Sequence, residues 1–100
     1  MNNSSYRISQ KAIEDLESIW VYTFQNWSKE QADRYYKLII QEIEYLAKDP
    51  FSGKSLKTLR KDYRVSKVKS HLIFYRKKEN EPVEIVRVLH SAMDIKKHLE

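Results

Sequence analysis

The sequence predicts an α+β domain of one short strand, two long helices packed as a hairpin and a three-stranded antiparallel meander. Three observations predict it. Apolar residues recur at helical spacing twice in the first half, apolar runs short enough for strands occur three times in the second, and the joins between them are brief. One hundred residues suit a single domain spanning 1–100 with one core of modest size.

"YRIS" (Tyr6 to Ser9) alternates and reads as the first strand. Ser9 can then cap a helix, its hydroxyl accepting from a free first-turn N–H. Ala12, Leu16, Ile19, Trp20, Thr23 and Trp27 form that helix's apolar stripe, while Glu14, Asp15 and Glu17 lie towards its positive end. "SKEQ" (Ser28 to Gln31) fits a capping box for a second helix that buries Ala32, Tyr35 or Tyr36, Ile39, Ile43, Leu46 and Ala47. Asp49–Pro50 stops it, because the residue before proline avoids helical geometry.

After the loop "PFSGKSLKTL" come strands over Tyr63–Val68, His71–Lys77 and Val83–His90, the last two joined by the turn "KKENEP". The last is apolar on both pleat faces and is expected inside the sheet. Phe74 and Tyr75 point to opposite faces, so one is expected in the core and one at the surface. "DIKKHLE" closes the chain as a short helical turn.

Composition narrows the function classes. With no cysteine there are no disulfides and no thiolate metal sites, which fits a reducing cytoplasm. No apolar stretch approaches the ~20 residues of a membrane span, and Met1 to Ser5 is polar, unlike a signal peptide. A cytoplasmic chain without a membrane partner is expected. Charge is uneven: residues 1–50 hold six Lys/Arg against eight Asp/Glu, whereas residues 51–100 hold thirteen against six. Between Lys54 and Lys78 ten basic residues face one acid, Asp62, a field that attracts a polyanion or an acidic protein.

His71, His90 and His98 lack the spacing of a metal motif, and no cofactor is expected. "SGKS" lacks the first glycine of a phosphate-binding loop and reads as a turn. His90, at a strand end, has the chemistry of a general acid or base for RNA cleavage, with Arg60, Arg64, Arg76 or Lys69 to hold phosphate and His71, Asp94 or Tyr75 as partner. No partner stands at a diagnostic spacing.

The stretches "LRKDYRVSKVKSHLIFYRKK" and "EIVRVLHSAMD", in that order, together with "YRISQKAIEDLESIWVYT" and "LAKDPFSGKS" upstream, resemble the ParE toxins of the RelE/ParE superfamily. The resemblance covers nearly the whole chain and implies the fold derived above. It also implies a type II toxin that inhibits DNA gyrase rather than acting as an enzyme. The implied partner is a ParD-like antitoxin, a ribbon–helix–helix protein with an acidic tail, and operator DNA is met only through that complex. On this reading Arg60, Arg64, Arg76, His90, Ser91, Met93 and Asp94 contact the target or the antitoxin. The RelE-type branch of the same fold implies the alternative, a ribosome-dependent mRNA interferase using His90; an inactive toxin kept for antitoxin binding and operon regulation is a third. Lys69 stands where the family often has glycine before the serine–histidine pair.

Overall fold

The two helices begin where serine can cap them. In the computed structural model, which describes residues 5–99, the Ser9 hydroxyl accepts from Ala12 N–H at 3.0 Å and the Ser28 hydroxyl from Gln31 N–H at 3.1 Å. Helix α1 runs Gln10–Asn26 and α2 runs Lys29–Lys48. Only Trp27 and Ser28 lie between them, so they fold back on each other as an antiparallel hairpin. Residues 1–4 and Glu100, which the sequence reading included in the polar start and the closing turn, lie outside the described residues.

The strands are β1 (Tyr6–Ile8), β2 (Lys54–Ser55), β3 (Tyr63–Val68), β4 (His71–Arg76) and β5 (Val83–His90). They form one sheet in the order β1-β5-β4-β3-β2. The antiparallel β3–β4–β5 meander is therefore extended on both sides: β1 adds in parallel to β5, and β2 pairs antiparallel with β3. The second of these strands was not expected from sequence. A one-turn 3-10 helix, Pro50–Ser52, precedes it, and a short helix α3 (Ile95–Leu99) closes the fold. No helix among the described residues is long and apolar enough to cross a membrane.

The helical hairpin covers one sheet face. Ala12 and Leu16 of α1 and Ile39, Ile43 and Leu46 of α2 pack on Ile73, Tyr75, Val83, Ile85 and Val88. The opposite face is not open to water, which corrects the expectation for Phe74 and Tyr75: both are buried. Phe74 packs with Leu89 and Leu99, and Leu56, Leu59, Leu72 and Ile95 close around them. The loop after β2 and helix α3 thus build a second, smaller core, and the Arg60 guanidinium ties the two together by donating to the Leu99 carbonyl at 3.1 Å. One other expectation fails and one is resolved for the same helices. Trp27 is 62% exposed, standing at the C-cap just beyond the last residue of α1, and of the two tyrosines offered as alternatives Tyr35 packs inward while Tyr36 faces out.

A bulge in β5 sets the geometry at the sheet's far end. Phe74 pairs with Arg87 but Tyr75 pairs with Ile85, leaving Val86 as the extra residue. Beyond the bulge β5 has outrun the three-residue β1, so its outer edge needs another partner. Asp15 of α1 supplies it. One carboxylate oxygen accepts Val88 N–H at 2.9 Å and Arg87 Nε at 2.8 Å, and the other accepts the Arg87 terminal nitrogen at 2.9 Å. The pair is 14–15% exposed and fastens the middle of α1 to β5. The sequence reading treated Asp15 as a charge towards the helix start; the first turn itself carries no acid, and the carboxylate is committed to the strand.

Candidate functional site

Of the two hairpin-linked strands β4 begins and β5 ends with a histidine, and their register sets His71 directly opposite His90. Ser91 N–H donates to the Ser70 carbonyl at 2.8 Å just past this pair, which marks it as a non-hydrogen-bonded pair, where opposed side chains come closest. The two rings meet edge to face with centroids 5.2 Å apart. The partner missing beside His90 in the sequence is thus supplied by the register.

Each ring is held through Nδ1. His90 Nδ1 accepts the Ala92 backbone N–H at 3.0 Å, so the neutral ring carries its proton on Nε2. His71 Nδ1 lies 2.6 Å from the Tyr35 hydroxyl, which also lies 3.1 Å from the Val68 carbonyl. One tautomer makes both of these contacts hydrogen bonds: the hydroxyl donates to Val68, and His71 Nδ1–H donates to the hydroxyl. With this assignment His71 offers a bare Nε2 and His90 an Nε2–H. Burial, and secondarily the proximity of His90, lowers the His71 pKa from its ordinary 6.5.

These histidines line a groove of about 460 Å³ between the sheet end and the helices. Its helical wall is Ser18, Ile19, Tyr22, Thr23 and Trp27 of α1 and the turn after it, with Tyr35 of α2 and Ser70 completing the rim. Tyr22 and Trp27 are about 60% exposed and pack edge to face with each other. The lining holds no lysine, arginine or carboxylate. Arg34 and Lys69 line a neighbouring depression that shares Thr23 and Tyr35. Among the described residues no three His, Asp or Glu side chains gather into a metal-ligating cluster.

The residues singled out from the sequence do not form one surface. His90 lies in the groove, and Met93 borders it beside Asp15, Ile19 and His71. Ser91 and Asp94 share that exposed loop, and the Asp94 carboxylate accepts Lys97 N–H at 3.3 Å. Arg60 and Arg76 belong to the opposite side of the sheet. Arg60 lies over the Tyr63 ring at 5.0 Å, and Arg76 forms an ion pair with Glu84 at 2.7 Å. Arg64 stands apart from both, donating to the Gly53 carbonyl at 2.6 Å and lying over Phe51. Tyr75, a possible acid for RNA cleavage, is out of reach, its buried hydroxyl donating to Pro50 O at 2.7 Å and accepting Gly53 N–H at 3.0 Å.

Four contributors were missed. Tyr22 falls outside the apolar stripe of α1, and a large aromatic at an otherwise polar helix position was its available signal. Tyr35 stands in the sequence only as one of two alternatives for the core, with no role for its hydroxyl. Asp15 and Arg87 are 72 residues apart, and nothing local in the sequence joins them.

Comparison with known proteins agrees with this architecture. The family model described as ParE toxin of type II toxin-antitoxin system, parDE, matches residues 6–95. Toxin ParE1 of Caulobacter vibrioides is 42% identical over 94 residues, covering 94% of this chain and 96% of that one. Toxin ParE1 of Mycobacterium tuberculosis is 34% identical over 97 residues, covering 97% and 99%. A solved structure titled chromosomal ParDE TA system from P. aeruginosa superposes with a TM-score of 0.74 over 86% of this chain and 94% of that one, at 19% identity, a likeness of fold. The chain belongs to the ParE toxin family of type II toxin–antitoxin systems.

Proposed function

We propose that this toxin acts by binding and inhibiting DNA gyrase, not by catalysis, and that a ParD-like antitoxin neutralises it by laying an amphipathic helix in the groove between α1 and the ends of β4 and β5. The observation that carries the second half is the groove itself: an apolar wall with two exposed aromatic anchors above a polar floor. Such a surface suits a helix that presents apolar residues along one face. An acidic tail also complements the net charge of +5, which speeds encounter. A solved relative is itself titled as a ParDE system, in keeping with such a pairing. Operator DNA would then be reached through the antitoxin's ribbon–helix–helix part. The His90–Asp94 loop, with Ser91 and Met93 exposed beside the groove, is the segment best placed to share contacts with target and antitoxin.

One observation favours a second reading, ribosome-dependent mRNA cleavage. His71 and His90 present a bare nitrogen and an N–H side by side, the requirement for a base and an acid. Against it, no cation lines the groove itself, Arg34 and Lys69 standing in the adjoining depression rather than beside the two rings. Purified toxin should be assayed for gyrase supercoiling and, in parallel, for transcript cleavage in a translating extract. Inhibited supercoiling with intact transcripts is expected. Cleavage that disappears in His90→Ala, with supercoiling untouched, would establish the interferase instead. Neither activity, with antitoxin binding retained, would identify a regulatory remnant.

A further inference from the structure

Exposed aromatic rings and an excess of positive charge lie on opposite sides of this sheet. Every exposed phenylalanine, tyrosine or tryptophan among the described residues lies on α1, on α2 or in the turns that directly follow them. From Leu56 to Leu99 the aromatic rings, Tyr63, Phe74 and Tyr75, are all buried. The helical layer, residues 10–48, holds five basic residues against seven acidic ones. The two segments that cover the other sheet face reverse that balance: residues 56–62 and 95–99 hold five Lys/Arg against a single acid, Asp62. Lys57, Lys61, Lys96 and Lys97 are exposed there, and Lys67, opposite Leu72, projects from the same sheet face.

We propose that this lysine face is a second binding surface, distinct from the groove, and that it takes the phosphate backbone of double-stranded DNA. Three features select that occupant. Of the arginines of this face Arg76 is paired with Glu84, and Arg60 is held in place by the Leu99 carbonyl and the Tyr63 ring. The charge left over is mostly ammonium, from Lys57, Lys61, Lys67, Lys96 and Lys97, which pairs with phosphate as a point charge and reads no base. No exposed aromatic ring is present for bases to stack on, which disfavours single strands. The apolar residues of this side are consumed in its own small core, so it lacks the anchors of a protein interface. The choice of DNA over RNA duplex rests on the gyrase reading, since a gyrase complex holds duplex DNA.

Segregation also gives the arrangement a use. With the groove on the helical side and the lysines on the other, a protein and a duplex can be held together without competing for one surface.

The test is fluorescence anisotropy with full-length toxin and a labelled 20-base-pair duplex of arbitrary sequence, with no gyrase present. If the four loop and α3 lysines each neutralise one phosphate, log K falls with log salt at a slope of about −3.6, roughly 150-fold between 50 and 200 mM. Reversing Lys57, Lys61, Lys96 and Lys97 to glutamate should abolish this binding. Reversing Lys11, Lys29, Lys37 and Lys48, four exposed lysines of the helical layer, makes the same change in net charge and should leave most of it. Thermal melts of both variants check folding, and a glutamine version of the first set covers a failure to fold. Equal losses in the two sets would reduce the effect to net charge and overturn the proposal. So would tighter binding of single-stranded DNA, duplex RNA or polyglutamate, or no duplex binding at 50 mM salt. Duplex binding beside unimpaired supercoiling would sink the gyrase reading while leaving this surface standing.

Discussion

Replacing Asp15 with alanine should be among the most damaging single changes in this protein, although the residue touches no partner in the groove. Its carboxylate takes three hydrogen bonds, two from Arg87 and one from the Val88 backbone, at 2.8–2.9 Å. Alanine leaves a guanidinium only 15% exposed without its counter-ion, and an unmet strand N–H beside it. Breaking a buried pair from one side costs about 3–5 kcal/mol. For a domain of this size a loss of ~3 kcal/mol lowers Tm by ~12–20 °C. Asp15→Asn keeps an acceptor for Val88 and should fall roughly 1–3 kcal/mol, between wild type and alanine. The double variant Asp15→Ala/Arg87→Met, which removes both charges and keeps the arginine's apolar stem, should be more stable than the sum of the single losses. Circular dichroism melts and urea titrations at pH 7.5 measure all four proteins. An Asp15→Ala loss below ~1 kcal/mol, or strict additivity in the double variant, would refute the account of this pair as the fastening of α1 to β5.

The remaining expectations follow from individual contacts. Gly53→Ala should destabilise, because a Cβ there would sit 2.9 Å from ring carbons of the buried Tyr75; Tyr75→Phe, which removes the crowding hydroxyl, should recover part of the loss in the double variant by urea titration. Phe74→Ala should cost ~3–5 kcal/mol, as for any large aromatic in a packed core, whereas a surface Phe74 would cost under ~1. His71 binds its proton less readily folded than unfolded, so its contribution is fully present above pH 6.5 and is lost as pH falls towards its lowered folded value; stability should therefore drop below pH 6.5, and less so in His71→Leu, by melts across pH 5–8. Trp27→Ala should change Tm by no more than a few degrees yet weaken antitoxin binding tenfold or more by calorimetry, since its ring is 62% exposed on the groove wall.

Local signals in the sequence were legible because they are local in physics as well. Ser9 and Ser28 cap helices through atoms three residues away, and the 3.6-residue stripe from Ala32 to Leu46 needs only one buried face. The strands Tyr63–Val68 and Val83–His90 carry the same ends in the structure as in the reading, and the middle one closes a residue earlier, at Arg76. The expectation that one of Phe74 and Tyr75 lies at the surface fails for a different reason. A strand's alternation tells which residues share a face but not what covers it, and here the cover comes from Leu56, Leu59, Ile95 and Leu99, distant in the chain. The pairing of β1 with β5 and the bulge at Val86 are equally non-local, and they create the bare edge that Asp15 fills.

The candidate site divides along the same line. A histidine at the end of an apolar run was visible, but whether it had a partner depended on register. The turn between β4 and β5 and the one-residue bulge together bring His71, rather than Leu72 or Ser70, across from His90. Once paired, the rings make a catalytic reading chemically possible, and the fold then weighs against it through placement. Cleaving a phosphodiester needs acid, base and cations at one point. This sheet puts the imidazoles on the helical side, among Ile19, Tyr22 and Trp27, and puts Lys57, Lys61, Lys96 and Lys97 on segments that cover the other. Arg60, Arg64 and Arg76, the arginines that would have gripped substrate, are engaged by Leu99, Gly53 and Glu84. No cation lines the groove beside the two imidazoles, the nearest being Arg34 and Lys69 in the adjoining depression, and that separation is why His90 fits the proposed role of a polar floor in a binding groove better than that of a catalyst.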